Sequence, residues 1–304
     1  MQRPPPVREF ILYPIVSGTI ALAVGVTLAS WSHNVDISPL YETVDIRRGQ
    51  LWRLLTSALP HGDIMHLVFN VYWIWVFGAL IERIFGHART LGIFVLLAVA
   101  ANGVEYALLD GGIGLSGIGY GLFGFLWVLS RRQARFADAV DKNTISLFVL
   151  WFFVCIILTI GGSPVANVAH GVGAIAGALL GWADSETSRE RLLAAAALTI
   201  LVAAVLAGST VARPWINLSK DGGKAEGQLG YDALVADRDD EALHWLRDAT
   251  HMQPRMAEYW FNMGIAYDGL KRHPEARAAY GRAAALEPSN ADYKAAAHDG
   301  DVTP

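Results

Sequence analysis

Four side chains in apolar stretches of this sequence have the chemistry for acyl transfer. Ser116 stands in Gly114-Leu115-Ser116-Gly117, His170 in Ala169-His170-Gly171, and His66 and Asn70 lie four residues apart. A serine hydroxyl becomes a nucleophile when a base within hydrogen-bond reach takes its proton, and the His170 imidazole is such a base. The tetrahedral oxyanion then needs donors. His66, Asn70 and the backbone N–H groups at the start of a helix can supply them. Ser116 opens its apolar run, so the positive end of a helix dipole faces the developing negative charge.

These residues must be held by membrane-spanning helices. The 304 residues are 53% hydrophobic and 17% charged, against about 25% charged in an ordinary soluble domain. Apolar runs long enough to be read as spans occupy about 10–30, 66–85, 90–109, 115–130, 144–161, 165–183 and 191–212, where about 20 residues are needed to cross the hydrocarbon. The first run follows Arg3 and Arg8 but is longer than a signal-peptide core and lacks a small-x-small cleavage site, so it reads as a retained helix. A net charge of −4 without a basic stripe excludes a nucleic-acid partner. The one cysteine, Cys155, excludes an intrachain disulfide and a cysteine-based zinc site. Neither a His-Glu-x-x-His motif nor a Gly-x-Ser-x-Gly elbow is present, position 118 being Ile. No metal or cofactor is expected.

The positive-inside rule places the N-terminus in the cytoplasm. Arg83, Arg89, Arg131, Arg132, Arg135, Lys142, Arg189 and Arg191 then lie inside, and only Arg47, Arg48 and Arg53 outside. The second, fourth and sixth spans run inward. At about 1.5 Å per residue, Ser116 stands roughly 22 Å above Arg131, His170 roughly 21 Å above Asp184 and Asn70 roughly 20 Å above Arg83. Nucleophile, base and oxyanion donors thus share one plane beneath the outer surface. No Asp or Glu of these three spans lies at that level, so a Ser116–His170 dyad is expected, with Tyr120 stacked on the imidazole. Glu105 and Asp110 read as interfacial, and Glu82 as a backbone acceptor near the inner side. Gly117 and Gly121, with Gly173, Gly177 and Gly181, form small-xxx-small faces that let two helices approach closely.

Together these residues resemble the rhomboid family of intramembrane serine proteases across roughly residues 10–185. Trp52-Arg53 is similar to its first-loop pair, His66-x-x-x-Asn70 to its second-helix motif, Glu82-x-x-x-Gly86 to its Glu/Gly motif, and Gly114-Leu115-Ser116-Gly117 to its nucleophile motif. The resemblance implies an all-α, polytopic six-helix core over residues 1–185, with a seventh span at 186–213 as an appendage. It implies a Ser116 nucleophile, a His170 base, an oxyanion site of His66, Asn70 and the Ser116 amide, and Tyr120, Gly114 and Gly117 in support. Substrates would be single-span membrane proteins cut near the outer face, reaching the site laterally past Phe69 and Trp73 on one helix and Trp151, Phe152 and Phe153 on another. The alternative is a catalytically inactive, rhomboid-like scaffold that binds membrane helices. The location implied is a cell membrane, read as a bacterial inner membrane.

Residues 214–226 read as a Gly/Lys/Asp-rich linker, and 227–304 as a soluble module. Trp260, Met263-Gly264, Tyr267, Ala276, Tyr280, Ala283 and Pro288 have counterparts 34 residues earlier, among them Leu229-Gly230, Ala242, Leu246, Ala249 and Pro254. Two units, 223–256 and 257–290, resemble tetratricopeptide repeats, a small α-solenoid with 291–298 as a capping helix. Such repeats bind proteins or peptides. The seventh span would place them outside the cytoplasm.

Overall fold

The structure, a computed structural model, describes residues 4–163, 165–184 and 187–299. Arg3, the expected domain boundary at 185–186 and the last five residues lie outside them. Helices joined by loops make up the described residues, which include no strand, and the chain divides into two units, Met1–Val211 and Ala212–Pro304.

Seven long apolar helices build the first unit. They are α1 (Pro14–Ser32), α2 (Ile64–Phe85), α3 (His87–Leu108), α4 (Ser116–Arg132), α5 (Lys142–Ile160), α6 (Asn167–Ala183) and α7 (Ser188–Ser209). α4 and α6 are the short ones, at 17 residues each. Their contact face explains how they sit at the centre of the unit. A Cβ on Gly173 would run into the carbonyl of Gly117, one on Gly177 into that of Gly121, and one on Gly124 into that of Ala174. Without side chains between them, two helix backbones touch directly. α3 and α7 pack on the other flank of α6. α5 is held mainly through Phe148 and Cys155, and most of its apolar surface faces outward, as suits a helix bathed in lipid.

α2 widens into a π-helical turn at Ile74–Gly78, where all five residues are buried. Such turns concentrate at functional sites. Here the turn lies between His66 and Asn70 at one end and Glu82 at the other. A Cβ on Gly78 would come within 2.8 Å of Val16 of α1, so the glycine makes room for that side chain. Glu82 is 2% exposed and accepts from the Ile15 and Val16 amides at 3.0 Å each, closing the N-terminus of α1, as a buried backbone acceptor should. The loop between α1 and α2 is organised by Arg53. Its guanidinium, 7% exposed, bonds the carbonyls of Ser38 and Tyr41 at 2.9 Å, the Gln50 amide oxygen at 2.8 Å and the Asp45 carboxylate at 3.1 Å.

The second unit stacks short helices in chain order, α8 (Lys224–Val235), α9 (Asp239–Met252), α10 (Ala257–Gly269), α11 (His273–Leu286) and α12 (Ala291–Asp299). The 34-residue period is visible in the backbone. Asp237 and Lys271 both take positive φ, at 55° and 58°. Gly230 faces Leu246 as Gly264 faces Tyr280. The stretch 214–226, expected as a linker, is partly structured. A helical turn occupies Arg213–Ile216, α8 begins at Lys224, and the buried Arg213 and Glu226 pair at 2.9 Å. An arginine buried next to a carboxylate cannot be left in a floppy tether without losing its partner.

Candidate active site

Ser116 is the first residue of α4, and the segment before it is shaped by glycine. Gly114 has φ +100°, a left-handed value that side chains rarely adopt. A Cβ there would also come within 2.6 Å of the His66 ring. Gly114 is thus needed twice, for the turn and for the approach of His66. The Gly114 amide donates to the Ser57 carbonyl at 3.2 Å, and Asn102 of α3 holds Ser57 Oγ at 3.1 Å and the Leu54 carbonyl at 2.9 Å.

His170 reaches Ser116 from the first turn of α6. Its Nε2 lies 2.8 Å from Ser116 Oγ, and the imidazole is 4% exposed. A hydroxyl donating to Nε2 leaves the ring proton on Nδ1. That Nδ1 is buried and has no hydrogen-bond partner. Among the described residues no carboxylate orients the ring. Instead Tyr120 stacks on it, with centroids 4.7 Å apart at 22°, and the Tyr120 hydroxyl donates to the Phe148 carbonyl of α5 at 3.1 Å.

α2 begins at an Asp63 N-cap, whose carboxylate accepts from the His66 amide at 2.8 Å. This start sets His66 against Gly114 and places Asn70 one turn further along, 4% exposed with its Nδ2 donor lacking a partner. A buried, unpaired amide donor is expensive unless something is bound to it at some stage of the work. Gly117 is the other close approach, its missing Cβ leaving room for Ala101.

The side chains read as bordering lateral access divide. Phe69 meets Trp151 at 5.3 Å between α2 and α5, Phe152 lies 6.1 Å from Tyr120, and Phe153 is exposed beside Phe152. Trp73 is corrected. It is 3% exposed and packed on Phe77 and on Phe148 of α5, so it is buried within the α2–α5 seam and not at its exposed edge. The indole is too large to leave the α2–α5 seam without opening a cavity.

Two residues of the site escape a reading of the sequence. His61 is buried and bridges the first loop to the segment before Ser116. Its Nδ1 is 2.9 Å from the Leu59 carbonyl, and its Nε2 accepts from the Leu115 amide at 3.3 Å. A carbonyl only accepts and an amide only donates, so the ring is neutral with its proton on Nδ1. Burial, with the His66 imidazole beside it, lowers the His61 pKa to about 4. Glu105 is corrected from interfacial to buried. It is 3% exposed, and its Oε2 accepts from the Ala169 amide at 2.8 Å. Neither contact leaves a local signal, because each partner is more than fifty residues away.

Comparison with known proteins agrees with this architecture. Residues 48–187 match the Rhomboid domain, and residues 257–290 match the Tetratricopeptide repeat. The chain is 28% identical to the rhomboid protease GlpG of Enterobacter sp. (strain 638) over 142 residues, covering 46% of this chain and 51% of that protein. It is 30% identical to the rhomboid protease GlpG of Pectobacterium atrosepticum over 138 residues, 45% of this chain and 49% of that protein. The same protein of Yersinia pseudotuberculosis serotype I is 30% identical over 141 residues, 46% of this chain and 50% of that one. The chain therefore spans about half the length of the relatives it matches. Those matches and the run of apolar helices support a multi-pass membrane protein, with one region similar to the Rhomboid domain and a later one similar to a tetratricopeptide repeat.

Proposed function

We propose that this chain is an intramembrane serine endopeptidase that uses a Ser116–His170 dyad. The observation that carries the reading is the 2.8 Å contact between Ser116 Oγ and His170 Nε2 in a buried site. His170 takes the hydroxyl proton as Ser116 attacks a peptide carbonyl. The oxyanion is met by the Ser116 amide at the start of α4, by His66 and by the unpaired Asn70 Nδ2. The imidazolium then gives its proton to the departing amine, leaving an acyl-enzyme. In the second half His170 deprotonates water, which releases the acid and restores Ser116. Tyr120 keeps the imidazole in plane through both halves.

Substrates on this reading are single-span membrane proteins whose segment is cut near the outer face. They reach the site from lipid between α2 and α5, where Phe69 meets Trp151. The repeats bind a protein or peptide partner. The relatives named above are called rhomboid proteases, which supports the same class of reaction here.

The test is cleavage of a single-span reporter by purified protein in liposomes. Wild type cuts, and Ser116→Ala and His170→Ala each lower kcat by at least about a thousandfold. Undiminished cleavage by Ser116→Ala would refute the protease reading.

A further inference from the structure

Glu105 has no part in the chemistry above, yet it touches the residue next to the base. A helix leaves its first amides without partners, and a Ser, Thr, Asp or Asn at the N-cap normally accepts from one of them. The N-cap of α6 is Ala166, which has no acceptor, and no cap bond forms from the helix's own side chains. The missing acceptor comes from another helix. Glu105 of α3 takes the Ala169 amide at 2.8 Å, the third residue of α6 and the position an N-cap side chain would serve. A carboxylate there also meets the positive end of the helix dipole. His170 is the next residue. The fold uses the same device on α1, whose N-cap Tyr13 makes no cap bond and whose amides go to Glu82.

The seam between α4 and α6 explains why such a cap would matter for the base. That seam is glycine backbone against glycine backbone. Between Tyr120 on His170 at one end and Val128 by Gly181 at the other, it has few of the interlocking side chains that fix two helices against sliding and rotation. The ends of α6 must therefore hold its register. At the far end the Asp184 carbonyl accepts from Gln133 at 3.1 Å and the Asp184 carboxylate from Arg89 at 2.6 Å. At the site end the anchor is Glu105. A Cβ on Gly112, in the segment leading to Ser116, would reach Ala166 at 2.8 Å and Glu105 Cγ at 3.6 Å, so both sides of the dyad converge on this carboxylate.

We propose that Glu105 is a positioning residue that caps α6 from α3 and thereby sets the distance from His170 Nε2 to Ser116 Oγ. The inference rests on the protease reading, and its test separates the two. Full-length Glu105→Leu and Glu105→Gln are compared with wild type in liposomes. Reporter kcat and KM are measured, together with the rate and end point of Ser116 labelling by a fluorophosphonate and hydrogen exchange of residues 167–171. A displacement of about 1 Å can cost on the order of a hundredfold. Glu105→Leu is expected to lower kcat and the labelling rate by about ten- to a hundredfold. KM and the labelling end point stay unchanged, and the first turn of α6 exchanges faster. Glu105→Gln keeps an acceptor oxygen and restores all three readouts to near wild type. A lower end point at an unchanged rate would mean that Glu105 only supports folding, and would overturn the inference. So would a Glu105→Leu variant equal to a wild type that cuts. A wild type that neither cuts nor labels sinks the protease reading and this inference together.

Discussion

Buried polar side chains in this protein are spent on backbone amides and carbonyls more than on one another. Glu82, Glu105, Arg53 and Asn102 each hold main-chain groups that a helix end or a loop would otherwise leave unsatisfied inside the bundle. His61 does the same on both of its nitrogens, and its neutral form is the one that fits. Its folded pKa, about 4, lies below the ordinary value of 6.5. The unfolded chain therefore binds the proton more tightly, and stability falls as pH drops from 6.5 toward 4. The melting temperature of wild type in detergent should decline across that window. His61→Asn should start lower at pH 7.5 and decline less steeply. Parallel slopes for the two proteins would show that His61 is not the group being titrated.

Helices α4 and α6 owe their contact to what is missing from them. Gly177 lies two turns past His170, and a methyl group there would overlap the Gly121 carbonyl, which has no freedom to swing aside. Gly119, on α4, has nothing within 4 Å of the place a Cβ would occupy. Gly177→Ala should therefore force the helices apart and cost about 1–3 kcal/mol, the range for overpacking. Gly119→Ala should be tolerated. Thermal unfolding gives the first comparison, and the labelling rate of Ser116 shows whether separation reaches the dyad. Identical melting of the two variants would mean that the seam does not bear on stability. α5 offers the contrast, since it presents Val149, Leu150, Trp151 and Phe153 outward and keeps few residues inside. A helix held by so few contacts is the one that can part from α2 at the least cost.

Taken whole, the chain pairs an apolar bundle with a polar repeat module, and we propose its orientation from the positive-inside rule alone. The arginines that positive-inside reasoning leaves on the outer side are engaged locally. Arg53 is enclosed by loop carbonyls, Arg48 pairs with Asp45 at 3.3 Å, and Arg47 donates to the Thr210 carbonyl at 3.1 Å. On the other side Arg131 lies over Trp127, while Arg135 lies over Phe85, donates to Gln133 at 2.9 Å and pairs with Asp184 at 3.7 Å. A reporter active only outside the cytoplasm, fused after Pro304, should report the outer compartment when expressed in a bacterium. One fused after Gln133 should report the cytoplasm. A cytoplasmic signal from the terminal fusion would mean that α7 does not cross.

The spans, the 34-residue repeat and the placement of Ser116, His170, His66 and Asn70 on three helices were legible from the sequence. Apolar run length, helical rise and repeat period are local properties, and each survives in one dimension. Trp73, Glu105 and His61 were not legible. A large aromatic on an apolar helix reads the same whether it faces lipid or core. A glutamate near a helix end reads as interfacial until the amide it accepts from is known. That amide lies 64 residues away for Glu105, and 54 residues separate His61 from Leu115. Only the packing of α3 against α6, and of the first loop against the segment before Ser116, brings those acceptors and donors together. A buried hydrogen bond has no periodicity of its own, so tertiary structure alone could decide which polar residues lie around Ser116 and His170.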